Sequence, residues 1–383
     1  MNQRVYLASP HMSEEGYEQK YIQEAFDTNW IAPLGNNVTM FEKEVCDLVR
    51  SKEGITLSSG TAAIHLALKL AGVQEGDLVF CQSLTFVASV NPILYEKAIP
   101  IMIDSEEDTW NISVDALEEA FIKYEKMGQK PKAVVIVHIY GICAKVKQIK
   151  QLCEKYQVVL IEDAAESLGS TIDGQYTGTF GDYGIYSFNG NKIITTSSGG
   201  MLLCNGKNAK EDAQKARFWA TQAREKERYY EHKEIGYNYR MSNITAGIGR
   251  GQLKVLHQRI EKKRQIYKRY QEGFQDIKDI SMMPFDVGNT YQNCWLTTIV
   301  LNKDSKVTSN QIIDALEKEN IESRPVWKPM HLQPLFKDCD YIDQNSVSET
   351  LFEYGVCLPS DTKMTNEIQN RVIEIVKGLW KHV

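Results

Sequence analysis

The chain has 383 residues, 43% of them hydrophobic and 25% charged, with a net charge of −6. This balance excludes a collagen-like, low-complexity or wholly disordered chain, and the length gives about two domains with a core large enough to need no cross-links. No basic excess marks a nucleic-acid binder, although one local basic group suffices for a small anionic ligand.

The opening MNQRVYLASPHMSEEGYEQ lacks the apolar stretch of a secretory signal. The longest apolar runs, such as Val134–Val137 and Val158–Ile161, fall well short of the ~20 residues that span a bilayer. Eight cysteines are scattered without a C-x-x-C pair and seven histidines are equally dispersed. The reading is of reduced thiols in a cytoplasmic protein with no metal site and no membrane segment.

From about Gly54 to Asn205, helix-like and strand-like segments alternate. Leu78–Cys81 and Ile99–Ile103 are short apolar strands, the second ending at Asp104. Val114–Lys126 has helical spacing, with Leu117, Phe121 and Tyr124 on one side. Lys132–His138 is a continuous apolar strand of the kind buried on both faces. Val146–Tyr156 reads as a helix and Val158–Ile161 as the next strand. The alternation predicts an α/β fold with a mostly parallel sheet wrapped by helices, in which ligands bind beyond the carboxyl ends of the strands. After Asn205, Asn208–Lys226 and Asn243–Phe274 read as helices, Trp295–Leu301 as a strand, Ser309–Glu319 as a helix, Ile321–Arg324 as a strand and Asn366–Trp380 as a closing helix. A boundary near residue 255 divides a large domain, 1–255, from a smaller α+β domain, 256–383.

Three places carry chemistry. Ser58-Ser59-Gly60-Thr61 stands at the mouth of an Ala/Leu-rich helix, where free N–H groups and the positive dipole end suit a phosphate, or where Ser59 is an ordinary cap. Asp163 follows the strand VVLIE, placed to bind a metal, cap a helix or pair with a ligand nitrogen. Lys192, in Ser187-Phe188-Asn189-Gly190-Asn191-Lys192, has small and mostly polar flanks, so it reads either as a surface lysine or as a partly dehydrated nucleophile toward carbonyls. Taken together they imply pyridoxal phosphate, which needs a phosphate cradle, a carboxylate for its pyridine nitrogen and a lysine for a Schiff base. Other signals carry less. Gly178-x-x-Gly181-x-x-Gly184 lacks the strand-to-helix turn of a dinucleotide site. Gly247, Gly249 and Gly251 fit close helix packing at a dimer contact. The basic run Arg259–Arg269 is partly balanced by Glu261, Glu272 and Asp276.

An ordered set spans nearly the whole chain: Asn29-Trp30-Ile31-Ala32-Pro33-Leu34-Gly35, S-S-G-T-A-A, F-x-A-S-x-N-P (86–92), H-x-Y-G (138–141), I-E-D-A-A-E (161–166), G-x-F-G-D-Y-G (178–184), S-F-N-G-N-K (187–192), G-Y-N-Y-R-M-S-N (236–243) and R-P-x-W-K-P-M-H (324–331). It resembles the sugar-nucleotide aminotransferases of the DegT/DnrJ/StrS family, which share the aspartate aminotransferase, or type I pyridoxal phosphate, fold. The resemblance implies that Lys192 holds the cofactor as the Schiff base and Asp163 pairs with the pyridine nitrogen. It implies further that Gly60, Thr61 and Ser187 bind the phosphate and Phe86 stacks on the ring. Glu166 would lie near the ring hydroxyl, where many relatives carry Gln or His; a carboxylate there repels a phenolate unless protonated or turned away. Asn238 would reach the cofactor phosphate of a neighbouring subunit, giving a homodimer with shared sites. Lys192 argues against the relatives that carry histidine and dehydrate sugars, and Asn191 stands where cysteine desulfurases usually have histidine.

Several segments most resemble the bacillosamine-pathway enzymes, which use a UDP-linked 4-keto-6-deoxy-N-acetylglucosamine. That match implies transfer of the amino group of glutamate to C4 of the sugar. It places Asn29, Trp30, Ile31, Ala32, Arg224, Trp327, Lys328 and His331 at the sugar nucleotide. Trp327 as core, Arg224 as a surface helix charge and His331 as a satisfied loop histidine are the alternatives. The rival functions are transfer to a 3-keto sugar and a non-catalytic sugar-nucleotide-binding regulator.

Overall fold

The computed structural model describes residues 3–382. Helices α1 (Tyr17–Asp27) and α2 (Asn36–Val49) precede the first strand, β1 (Glu53–Leu57), and α3 (Gly60–Leu70) follows it. The strands β2 (Leu78–Gln82), β3 (Ile99–Ile103), β4 (Ala133–Val137), β5 (Val159–Asp163), β6 (Tyr183–Ser187) and β7 (Gly200–Cys204) complete a sheet ordered β1-β7-β6-β5-β4-β2-β3. Neighbours from β6 to β3 pair in parallel, while β7 runs against both β6 and β1. The mostly parallel α/β sheet expected from the sequence is therefore present.

The strands are apolar on both faces because both faces are covered. Alternate residues diverge: Val79, Cys81, Val135 and Ile161 join α3 in one buried cluster. Phe80, Ile101, Val134 and Leu160 join Leu117, Phe121, Ile149 and Leu152 of helices Val114–Lys126 and Val146–Tyr156 in another. Phe80 is fully buried, with its ring 5.2 Å from that of Phe121; a side chain buried this way contributes roughly 1.5–3 kcal/mol. Two shape changes follow from particular residues. A Cβ on Gly200 would stand 2.4 Å from the Gly60 nitrogen, so glycine alone lets β7 cross the start of α3. The Ala62, Ala63 and Ala67 side chains are small enough to bring α3 down onto the sheet.

The second half corrects several sequence boundaries. The expected helix Asn208–Lys226 ends at Ala220. Gln222 and Ala223 then take left-handed backbones, and Gly236 crosses against them with no room for a Cβ (2.2 Å from Ala223 N). The expected helix Asn243–Phe274 breaks at Lys254–Val255 into Asn243–Leu253 and Leu256–Phe274. Its glycines pack within the chain: a Cβ on Gly251 would meet Glu18 N of α1 at 2.6 Å, and one on Gly249 would meet the Phe41 ring of α2 at 2.5 Å. The first helix is thus fixed against α1 and α2, and the second leaves to pack on a small antiparallel sheet. That sheet runs Ile280–Met282, Thr297–Leu301, Gly355–Leu358, Arg324–Pro325. Of the expected strand Ile321–Arg324, Arg324 pairs with Cys357, whereas Ile321 bridges Val5 of the amino-terminal segment. The chain also returns: Tyr341–Ile342 adds to the edge of the large sheet beside β3. The closing helix runs Asn366–Gly378. Among the described residues no helix is long and apolar enough to cross a membrane.

Candidate active site

A cavity of about 300 Å³ opens beyond the carboxyl ends of β4, β5 and β6. Asp163, the last residue of β5, is buried in its floor. Its Oδ2 accepts the Ser89 hydroxyl at 2.6 Å and its Oδ1 accepts the Ala165 N–H at 3.1 Å. Burial pushes the Asp163 carboxyl above its usual range, and the Ser89 hydrogen bond and the Lys192 charge oppose that rise.

Glu166 is also buried, its Oε2 accepting the Tyr140 N–H at 2.7 Å. Tyr140 holds a left-handed backbone (φ 55°) ahead of Gly141 (φ 91°), where a Cβ would collide with Asn293 Oδ1 at 2.0 Å. This strained turn aims the N–H into the site. Lys192 Nζ donates to Glu166 Oε1 at 3.2 Å and lies 4.2 Å from the centre of the Trp295 ring. Burial raises the Glu166 carboxyl as well, with the Lys192 charge acting against it. The Lys192 side chain is only 11% exposed, so it is not a surface lysine. Its loop is closed by the Thr196 N–H on the Phe188 carbonyl (2.9 Å) and is held from outside by Trp295, whose Nε1–H donates to the Asn191 carbonyl at 2.7 Å.

At the other side of the cavity stands the amino-terminal end of α3. Ser59 caps it, accepting the Ala62 N–H at 3.1 Å, while Gly60 and Thr61 present the first N–H groups, which have no intrahelical partner. Ser187, at the end of β6, lines the same corner; a Cβ on Gly60 would stand 3.2 Å from its own Cβ. Phe86 projects over the cavity, 55% exposed, with its ring 5.6 Å from that of Trp327.

The residues expected at the cofactor thus meet around one space, save Asn238, which is exposed on the irregular 221–242 segment beside Thr221. The residues expected at the sugar nucleotide are more dispersed. Trp327 lines the cavity and also packs on Tyr140 (5.2 Å), so it is both wall and core. Lys328 is half-buried next to it and does not line the cavity. His331 is structural: its nitrogens lie 2.7 Å from Ser83 Oγ and 3.0 Å from Glu349 Oε1, and its ring stacks on Tyr341 at 3.7 Å. Arg224 is exposed, its guanidinium over the Tyr230 ring at 4.3 Å, and it lies past the end of its helix rather than on it. Asn29, Trp30, Ile31 and Ala32 form an exposed turn away from the cavity; Trp30 borders a separate hollow with Leu34, and Asn243 Nδ2 binds its carbonyl at 2.6 Å. Sequence reasoning missed Ser89, Tyr140 and Trp295, although the first two stand inside motifs it had marked.

The donor set fits pyridoxal phosphate. A buried carboxylate, a primary amine and a helix end flanked by Ser and Thr hydroxyls face one cavity beneath an aromatic ring. A model of the DegT/DnrJ/EryC1/StrS aminotransferase family matches residues 12–377. EpsN of Bacillus subtilis (strain 168), provisionally named a pyridoxal phosphate-dependent aminotransferase, is 52% identical over 100% of this chain and 97% of its own. The GDP-perosamine synthase of Escherichia coli O157:H7 is 36% identical, over 94% of this chain and 95% of its own. The crystal structure of a DegT DnrJ EryC1 StrS aminotransferase from Brucella abortus superposes with a TM-score of 0.87 at 26% identity, covering 95% of both chains. With motifs, architecture and site geometry in agreement, the chain belongs to the DegT/DnrJ/EryC1/StrS aminotransferase family.

Proposed function

We propose that the protein transfers the amino group of glutamate to the C4 keto carbon of a UDP-linked 4-keto-6-deoxy-N-acetylhexosamine, leaving 2-oxoglutarate and a 4-amino sugar for surface glycan or protein glycosylation. It is an aminotransferase with pyridoxal phosphate as its cofactor. The carrying observation is the meeting of Lys192, Glu166 and Asp163 at one end of a cavity whose other end is the amino terminus of α3.

The cofactor supplies an aldehyde that condenses with amines and a ring that withdraws electrons from the carbon beside them. The Gly60 and Thr61 N–H groups, with Ser187, bind its phosphate. Phe86 covers the ring face and excludes water from it. Asp163 accepts the hydrogen bond of the pyridine nitrogen and keeps the proton there. Lys192 is the primary amine that would hold the aldehyde. As a free amine, its Nζ would be the base that moves a proton within the cavity. Glu166, tied to the Tyr140 N–H, receives the Lys192 ammonium and holds it inside the cavity.

A homodimer is part of the proposal. Asn238, Arg224 and Trp30 are exposed and outside the cavity of their own chain, which suits residues that complete a partner's site. A GDP-linked substrate is the second reading, favoured by the name of the Escherichia coli relative. The test is incubation of the purified protein with glutamate and, separately, UDP- and GDP-linked 4-keto and 3-keto sugars, with product NMR. Nitrogen on C4 of the UDP sugar is expected. Turnover of the GDP sugar alone, or nitrogen on C3, replaces the substrate assignment; no turnover with a fully loaded protein favours the regulator.

A further inference from the structure

Asp163 presents a physical difficulty. A carboxylate in a buried site favours its neutral form, yet pairing with a pyridinium needs the charged one. The charged and titratable groups facing it are Lys192 from the loop after β6, Glu166 one turn on, and His138 at the end of β4. His138 is engaged elsewhere, its Nε2 lying 3.0 Å from Glu162 and its Nδ1 accepting the Ala144 N–H. Glu166 is a like charge and opposes ionisation of Asp163. Lys192 favours it, but that ammonium ceases to be a fixed counter-charge once its nitrogen is bound covalently. What remains in every state is hydrogen bonding, from the Ala165 N–H and the Ser89 hydroxyl.

The Ser89 hydroxyl is the shorter of the two bonds, at 2.6 Å, and its direction is fixed. Thr85 Oγ1 lies 2.7 Å from Ser89 Oγ. Asp163, when charged, is acceptor only, so Ser89 must donate to it, and the Ser89 lone pair is then free to accept from Thr85. Both residues are buried, at 1% exposure, and sit four apart around the short turn Val87–Ser89. Between them Phe86 projects into the cavity. We infer that Ser89, oriented by Thr85, is the positioning residue that keeps Asp163 ionised and aimed at the ring nitrogen, so that segment 85–89 sets both the ring's stacking partner and its counter-charge. This rests on the reading of Asp163 given above.

The test titrates pyridoxal phosphate into cofactor-stripped protein, following the visible band from pH 6 to 9, and then follows its bleaching by glutamate in a single turnover. A hydrogen bond to a charged group is worth about 10- to 100-fold, so Ser89→Ala is expected to weaken cofactor binding by about that factor. The deficit widens as pH falls, because a carboxyl that has lost a donor keeps its proton to higher pH. Bleaching slows with little change in the glutamate concentration that half-saturates it. Ser89→Thr, which keeps the hydroxyl, restores both, and Thr85→Val gives the same signs at smaller size. In an Asp163→Asn background Ser89→Ala adds nothing further, since its partner charge is gone. Equal losses in both backgrounds, or a Ser89→Ala protein with unchanged affinity and pH profile, overturn the inference. If Ser89→Ala does not fold, an unchanged pH profile in Thr85→Val overturns it alone. A wild-type protein that takes up no cofactor refutes the aminotransferase reading itself, a separate result.

Discussion

Asp163, Glu166 and Lys192 put two carboxylates and one ammonium into a space largely closed to water, so removing one member shifts the other two. Both carboxyls are raised by burial, which means the folded protein holds their protons to higher pH than the unfolded chain does. The sign follows from linkage: their contribution is greatest below the ordinary Asp and Glu range and is lost as pH rises through the folded values. Glu166→Gln removes one of these charges while keeping an acceptor for the Tyr140 N–H. The cofactor-free variant is therefore expected to melt higher than wild type at pH 7, with the gap closing near pH 4. Calorimetry at the two pH values checks this. The loaded variant keeps its colour, because Asp163 and Lys192 are untouched.

At the scale of elements, the site is a junction of ends: β5 supplies Asp163, the start of α3 the proposed phosphate cradle, and the loop after β6 Lys192. Gly200→Ala tests the junction between β7 and α3. Its methyl would be forced within 2.4 Å of the Gly60 nitrogen, so the variant is expected to lose about 2 kcal/mol of stability and to bind pyridoxal phosphate more weakly. A denaturant melt and a cofactor titration read the two effects. Trp295 tests the loop. Trp295→Leu removes both the Asn191 anchor and the ring beside Lys192, whereas Trp295→Phe removes only the anchor. Glutamate-driven bleaching is expected to slow by about 10-fold or more in the first and by less in the second, since a cation over a buried ring and a hydrogen bond each contribute about 1 kcal/mol.

These elements differ in how far the sequence exposes them. Val159–Asp163 is legible because a strand buried on both faces opens on an apolar run, and Asp163, the carboxylate that closes it, stands at the sheet's binding edge. Lys192 is legible through its small polar neighbours. Trp295 is not, because it meets Asn191 across 104 residues and local pattern carries no record of that contact. The break at Lys254–Val255 is hidden for the same reason: both halves have helical periodicity, and only packing of Gly249 and Gly251 on α2 and α1 separates them. His331 carries a motif's appearance but spends both nitrogens on Ser83 and Glu349.

For the whole molecule, the fold brings residues from 59 to 327 around one cavity and leaves Asn238 on the outside. If Asn238 serves a partner's site in a two-fold dimer, Lys192→Ala and Asn238→Ala chains complement each other. Each variant is defective alone. In a random mixture half the molecules are mixed dimers, each with one intact site, so about a quarter of wild-type activity returns. Activity assays after co-refolding measure it, and an absence of recovery places Asn238 outside the site. The central claim is the bond between the cofactor and a single lysine. Borohydride reduction of the loaded protein, followed by peptide mass spectrometry, tests it most directly. The account predicts the reduced phosphopyridoxyl group on the peptide containing Lys192 and its loss in Lys192→Ala; the group on another lysine, or on none, contradicts it.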